Sequence, residues 1–184
     1  ISAMVPLCLS ISLMKTWVDA HPHLALGTIL IIALFLGIVR LWTDPPNPIG
    51  YPPDVTWNIA LNLASGRGFT ACEEEYFPFC GAANQLTAMR GPIPVIIYAA
   101  FIKVAGNSIL LASSLEIFLN LLIIIAIYLL SKEWAGPRAA LLASTLWAGY
   151  LPAVKLISHI SSDLVAALAT SLALYFFLHA RKTN

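Results

Sequence analysis

The sequence predicts an all-α membrane protein: about four transmembrane helices and one large extracytoplasmic loop that carries short interfacial helices. Three observations predict it. Of the 184 residues, 59% are hydrophobic and only 10% charged, whereas a water-soluble domain draws on roughly 25% charged residues for its surface. Mean hydropathy is +0.83. The apolar residues also gather into runs, and a hydrocarbon core of roughly 30 Å needs about 20 of them in a helix. A water-soluble monomer, a disordered chain and a collagen-like chain are excluded. The net charge of +1 excludes a protein that binds nucleic acid through a basic surface, and three cysteines are too few for a disulfide-built miniprotein.

Ile1 to Met14 is apolar but too short to span, and no charged segment precedes it as in a signal peptide. Met14 before Lys15 is the expected true start, and the chain is expected to be a portion of a longer protein, a single transmembrane domain over residues 1–184. Leu24 to Val39 carries no charge and, flanked by His21 and Trp42, forms the first span. Ser108 to Ser131 forms the second, interrupted only by Glu116. Arg138 to Val154 is a short third span ending near Pro152, and Ser158 to Ala180 is the fourth, with Asp163 near its start.

The loop, residues 43–107, separates the first two spans. Thr43 to Arg90 holds five of the nine acidic residues and six of the twelve prolines, so the polar chemistry of the chain concentrates there. Asp54 to Gly66 reads as one short helix: Pro52 and Pro53 precede it, Asp54 suits an N-cap, and Gly66 and Gly68 suit a stop. Trp57, Ala60, Leu61 and Ala64 share one face and Asn58 and Asn62 another, as in a helix lying on a membrane surface. Ile93 to Ala105 is apolar, only thirteen residues long, and ends close to Lys103; it is expected to lie along the interface. Gly66-Arg67-Gly68 is a helix stop rather than a nucleotide loop, because no strand precedes it. Glu73 to Glu75 reads as a solvated run. Cys72 and Cys80 can pair if the loop faces an oxidising compartment, whereas Cys8 is a lone apolar thiol.

Lys15, Lys132, Arg138, Arg181 and Lys182 fall on one side of the spans; Arg40, Arg67, Arg90, Lys103 and Lys155 fall on the other. The count is balanced, but the short Lys132 to Arg138 loop and the basic tail point to the cytoplasm. Glu116 and Asp163 lie inside spans, nearer the ends on the large loop's side. Charges there are costly and face a protein interior or a wet cavity, so both are candidate cavity-lining residues. His159, one turn before Asp163, is a third, at a spacing that also suits a structural pair. Asn120, one turn after Glu116, can satisfy its carboxyl group.

Asp54 with Trp57, Ala60, Leu63, Gly66 and Gly68-Phe69 is followed by Arg90-Gly91-Pro92-Ile93-Pro94. Then come Gly106-Asn107-Ser108, a long span, a basic loop, Gly149-Tyr150-Leu151-Pro152 and Ser161-Ser162-Asp163. From about Leu24 to Ala180 this order resembles the N-terminal part of GT-C glycosyltransferases that use polyprenyl-phosphate sugars. The protein O-mannosyltransferases and the lipid A aminoarabinose transferases are among them. The resemblance implies that the acidic residue of the first extracytoplasmic loop is catalytic, and Asp54 is the matching position. Many members have a paired Asp-Glu and a Tyr where this chain has Val55 and Trp57, which leaves Asp44 as a second catalytic candidate. The family's basic residue before a proline corresponds to Arg90, with Gly91 interposed. The resemblance further implies a polyprenyl-phosphate sugar donor, a lipid, glycan or protein acceptor, and residence in the cell's inner membrane with the large loop outside. No cofactor is specified by these residues, and the need for a divalent metal stays open.

The chemistry is coherent on physical grounds. An acceptor must attack the anomeric carbon, and a nearby carboxylate can take its proton, a contribution of roughly 10²- to 10⁴-fold. The leaving phosphate is already ionised and needs charge stabilisation, for which the planar fork of an arginine is suited. Asp54 as a mere N-cap and Arg90 as a headgroup anchor are the plainer readings of the same residues. A transporter portion, with Glu116, His159 and Asp163 along a pathway, and a non-catalytic polytopic subunit are the rival functions. The first should show an inverted repeat, and none relates the two halves.

Overall fold

The computed structural model describes residues 20–44, 55–71, 85–86, 91–157, 160 and 162–183. Helix α1, Pro22–Thr43, is the predicted first span. Pro22 occupies a first-turn position, where its missing N–H is no loss, and 22 residues make a helix of about 33 Å. Only Ala33 and Gly37 are buried along it, while Ile31, Phe35 and Trp42 are exposed. An apolar surface of that extent fits a lipid environment.

The loop contributes α2, Val55–Ala64, then a two-residue antiparallel pairing of β1, Thr70–Ala71, with β2, Gln85–Leu86, and then α3, Pro92–Ala105. Helix α2 ends two residues earlier than predicted. Ser65 Oγ donates back to Leu61 O at 2.6 Å, and Gly66 adopts φ +79°, a conformation that ends the helix at little cost only for glycine. The expected one-sided interfacial helix is not found. Thr56, Trp57, Ile59, Ala60 and Asn62 are all buried, so α2 is enclosed on more than one face. The reason is α3, whose stripe of Val95, Tyr98, Ala99 and Ile102 closes over it in one apolar cluster with Ala112 and Ile160. Asn62, expected on a wet face, instead donates to Thr70 O at 2.8 Å and ties β1 to the helix.

Helix α4, Ile109–Ala135, is the second predicted span and the hub of the bundle. Half of its apolar window is buried, against 11% for α1 and for α7, Ser162–Thr183. Helix α1 runs antiparallel to it: Gly37 lies against Ile117, Ala33 beside Ile124, and Ala25 and Leu26 beside Tyr128. A Cβ on Gly37 would come within 3.2 Å of Ile117 Cγ1, so the missing side chain is what lets the two helices approach. Helix α7 runs parallel to α4, with Leu164 and Val165 beside Leu119 at one end and Lys182 bonded to Glu133 at the other.

Among the described residues, three helices are long and apolar enough to span: α1, α4 and α7. The predicted third span is not one helix. It is α5, Pro137–Ala148, of 12 residues, and α6, Leu151–Leu156, of 6. Pro152 has no N–H to offer the carbonyl of Ala148, and its ring would collide with that carbonyl, so the helix breaks at Gly149 and Tyr150. Gly136, at φ +87°, ends α4 and directly precedes Pro137 of α5, reversing the chain within one residue. The return path to the start of α7 is thus a broken one, and the four expected spans become three continuous helices and an interrupted pair.

Candidate functional site

The described candidate residues gather at one end of the bundle. The cluster of α2 and α3 with Ala112 and Ile160 brings the loop helices against the first turn of α4 and the residues just before α7. The C-terminal end of α1 reaches the same end, because α1 is antiparallel to α4.

Glu116 occupies the second turn of α4 and is fully buried. Tyr98 of α3 donates its hydroxyl hydrogen to Glu116 Oε1. Glu116 belongs to a polar stripe on α4 with Ser113 and Asn120, both buried, spaced three and four residues apart on one helix face. Asn120 Oδ1 accepts a hydrogen bond from Trp147 Nε1 of α5 at 3.0 Å. One turn further, Ser144 of α5 donates to the backbone oxygen of Ile124 at 3.4 Å. The stripe therefore joins α3, α4 and α5 by polar contacts inside an otherwise apolar core.

Asp44 is the C-cap of α1; its backbone N–H donates to Arg40 O at 2.9 Å and its exposed carboxylate pairs with the Arg40 guanidinium. Asp163 lies exposed in the first turn of α7, where the positive end of the helix dipole favours a carboxylate. Asp54, Arg90 and His159 lie outside the described residues, as do Cys8, Cys72, Cys80 and Glu73 to Glu75. In sequence, Asp54 is the residue before α2, and Arg90 the one before Gly91, the N-cap of α3. Among the described residues no three His, Cys, Asp or Glu side chains are grouped as metal ligands would be.

Sequence reasoning singled out Glu116 but missed Tyr98. The signal was present, since Tyr98 is the one side chain with a polar tip on the apolar stripe Val95, Tyr98, Ala99 and Ile102. A buried tyrosine needs a partner for its hydroxyl. Trp147 carried a similar signal for Asn120.

A bundle of long apolar helices, with short loop helices packed on one end and a buried carboxylate beneath them, defines an integral membrane protein capped by short helices. Residues 89–184, more than half of the chain, match the model of the dolichyl-phosphate-mannose-protein mannosyltransferase family. The chain belongs to that family, and with it to the GT-C membrane glycosyltransferases. No curated protein and no solved structure matches it.

Proposed function

We propose that this chain forms the N-terminal part of an enzyme that moves a mannosyl residue from a polyprenyl phosphate to an extracytoplasmic acceptor, a protein hydroxyl in the first instance. The observation that carries the reading is the family match over α3 to α7, combined with the cap that α2 and α3 form on one end of the bundle. A lipid-linked donor must present its sugar phosphate at the membrane surface while its tail stays in the bilayer. A cap of short helices at that end is where the two can meet.

In this reading Asp54 takes the proton of the attacking hydroxyl and Arg90 holds the donor phosphate. Asp44 is the weaker base candidate, because its carboxylate is engaged by Arg40. In the same reading Asp163, exposed in the first turn of α7 at the capped end, lines the acceptor's approach. In this reading the capped end faces away from the cytoplasm: basic residues are balanced between the two ends, and the short Lys132 to Arg138 loop with the basic tail supports that orientation.

The test is transfer from a radiolabelled polyprenyl-phosphate mannose to an acceptor peptide in vesicles holding the full-length parent protein, with donor binding measured separately on the 184-residue chain. Donor-dependent labelling of the peptide's hydroxyl residues is expected. Binding and transfer both absent would remove the reading.

A further inference from the structure

The end of the bundle opposite the cap carries a chemistry that glycosyl transfer does not use. The α4–α5 turn and the last turn of α7 meet there, tied by Lys182, which donates to Glu133 Oε2 at 2.8 Å. Lys132 and Arg138 flank the turn, Arg181 precedes Lys182, and all four side chains are exposed. Glu133 is the one acidic residue at this end among the described residues. It is already engaged by Lys182 and lies 3.7 Å from His179 Nδ1. Among the described residues, four cations face one anion at this end.

The apolar neighbours of this patch are equally specific. Trp134, beside Glu133, is 83% exposed. Tyr175 stacks on His179 with ring centroids 5.7 Å apart, and the adjacent Phe176 and Phe177 are exposed. Amphipathic rings beside basic side chains are the composition of a helix end at headgroup depth, with acyl chains along the flanking surface.

We propose that this patch is a binding surface for anionic phospholipid headgroups. Arg138 and Arg181 offer their positive charge to the headgroup phosphate. The exposed Phe176, Phe177 and Leu142 offer apolar surface to the acyl chains, a surface that free phosphate has no use for. Retention of such a lipid also fixes this end at an anionic, cytoplasm-facing leaflet. The proposal stands whether or not the chain transfers a sugar.

The 184-residue chain, reconstituted in phosphatidylcholine vesicles with and without phosphatidylglycerol and then extracted in detergent, should retain phosphatidylglycerol preferentially when bound lipid is counted by native mass spectrometry. Each arginine removed, in R138Q or R181Q, should weaken that preference roughly fivefold, and the pair together about 25-fold. R138K with R181K should keep most of it, because the charge remains. Inorganic phosphate at equal concentration should not displace the lipid. Equal retention of both lipids, an unchanged preference in both single glutamine variants, or displacement by inorganic phosphate would each overturn the proposal.

Discussion

The hydroxyl of Tyr98 donates its hydrogen to the carboxylate of Glu116, joining the cap helix α3 to the hub helix α4 where both side chains are fully buried. A carboxyl group in that position has lost its water and depends on protein donors. Tyr98→Phe should therefore destabilise the chain by about 1–2 kcal/mol, read as a loss of helicity at lower denaturant in detergent micelles. Glu116→Leu in the Tyr98→Phe background should recover part of that loss, since no buried carboxyl group remains to be satisfied. An additive double variant would show that the two groups do not depend on one another.

Gly37 and Ile117 give a second test on the side of α4 that meets α1. The α1–α4 contact leaves no room for a long side chain, because even a Cβ meets Ile117 at 3.2 Å. Gly37→Ala should be tolerated, as the tip of Ile117 can give way by a few tenths of an ångström. Gly37→Leu should cost about 1–3 kcal/mol and move α1 outward. Disulfide trapping between cysteines placed at Ala33 and Ile124, which pack in one cluster, reports that movement: efficient in the parent and in Gly37→Ala, poor in Gly37→Leu.

The spans were legible in sequence because lipid leaves a helix no alternative: backbone groups must pair within the segment, and apolar length alone marks it. Leu24 to Val39 and Ser108 to Ser131 lie within the observed α1 and, but for one residue, α4. The broken pair α5–α6 was misread because hydropathy averages over Gly149 and Pro152, whose effect on the backbone is local. The burial of α2 was misread for a different reason. Trp57, Ala60 and Asn62 look amphipathic in isolation, and only the arrival of α3 decides which faces are wet. Glu116 was visible as a charge in a span, yet its partner lies eighteen residues away on another helix, a pairing that local spacing does not encode.

The catalytic carboxylate separates by substitution. In the full-length parent, Asp54→Asn should abolish mannosyl transfer with expression and membrane insertion unchanged, because an amide keeps the capping ability but takes no proton. Asp44→Asn should leave transfer nearly intact, its carboxylate being paired with Arg40 at the end of α1. Activity retained in Asp54→Asn and lost in Asp44→Asn would exchange the two roles.

The orientation of the loop is open to a chemical test through Cys72 and Cys80, both in the sequence between β1 and β2. With the cap on the extracytoplasmic side, a membrane-impermeant thiol reagent should label them only from that side, and only after reduction if they are paired. Labelling confined to the cytoplasmic side would invert the topology and remove the glycosyltransferase reading with it.

Arg90 is where phosphate binding and simple anchoring part. If it holds the donor phosphate, the interaction strengthens as the bond to the sugar breaks and charge gathers on the departing phosphate. Arg90→Ala should then weaken donor binding and slow turnover together, by roughly 10²- to 10³-fold in turnover. Arg90→Lys should recover only part of the loss, since an ammonium is a point charge and cannot place two parallel hydrogen bonds on one phosphate. A residue that merely steadies α3 among lipid headgroups behaves otherwise: lysine replaces it well, and donor affinity hardly changes. Donor affinity and turnover, measured in parallel for the two variants, distinguish the cases, and near-normal turnover in Arg90→Ala would take Arg90 out of the site.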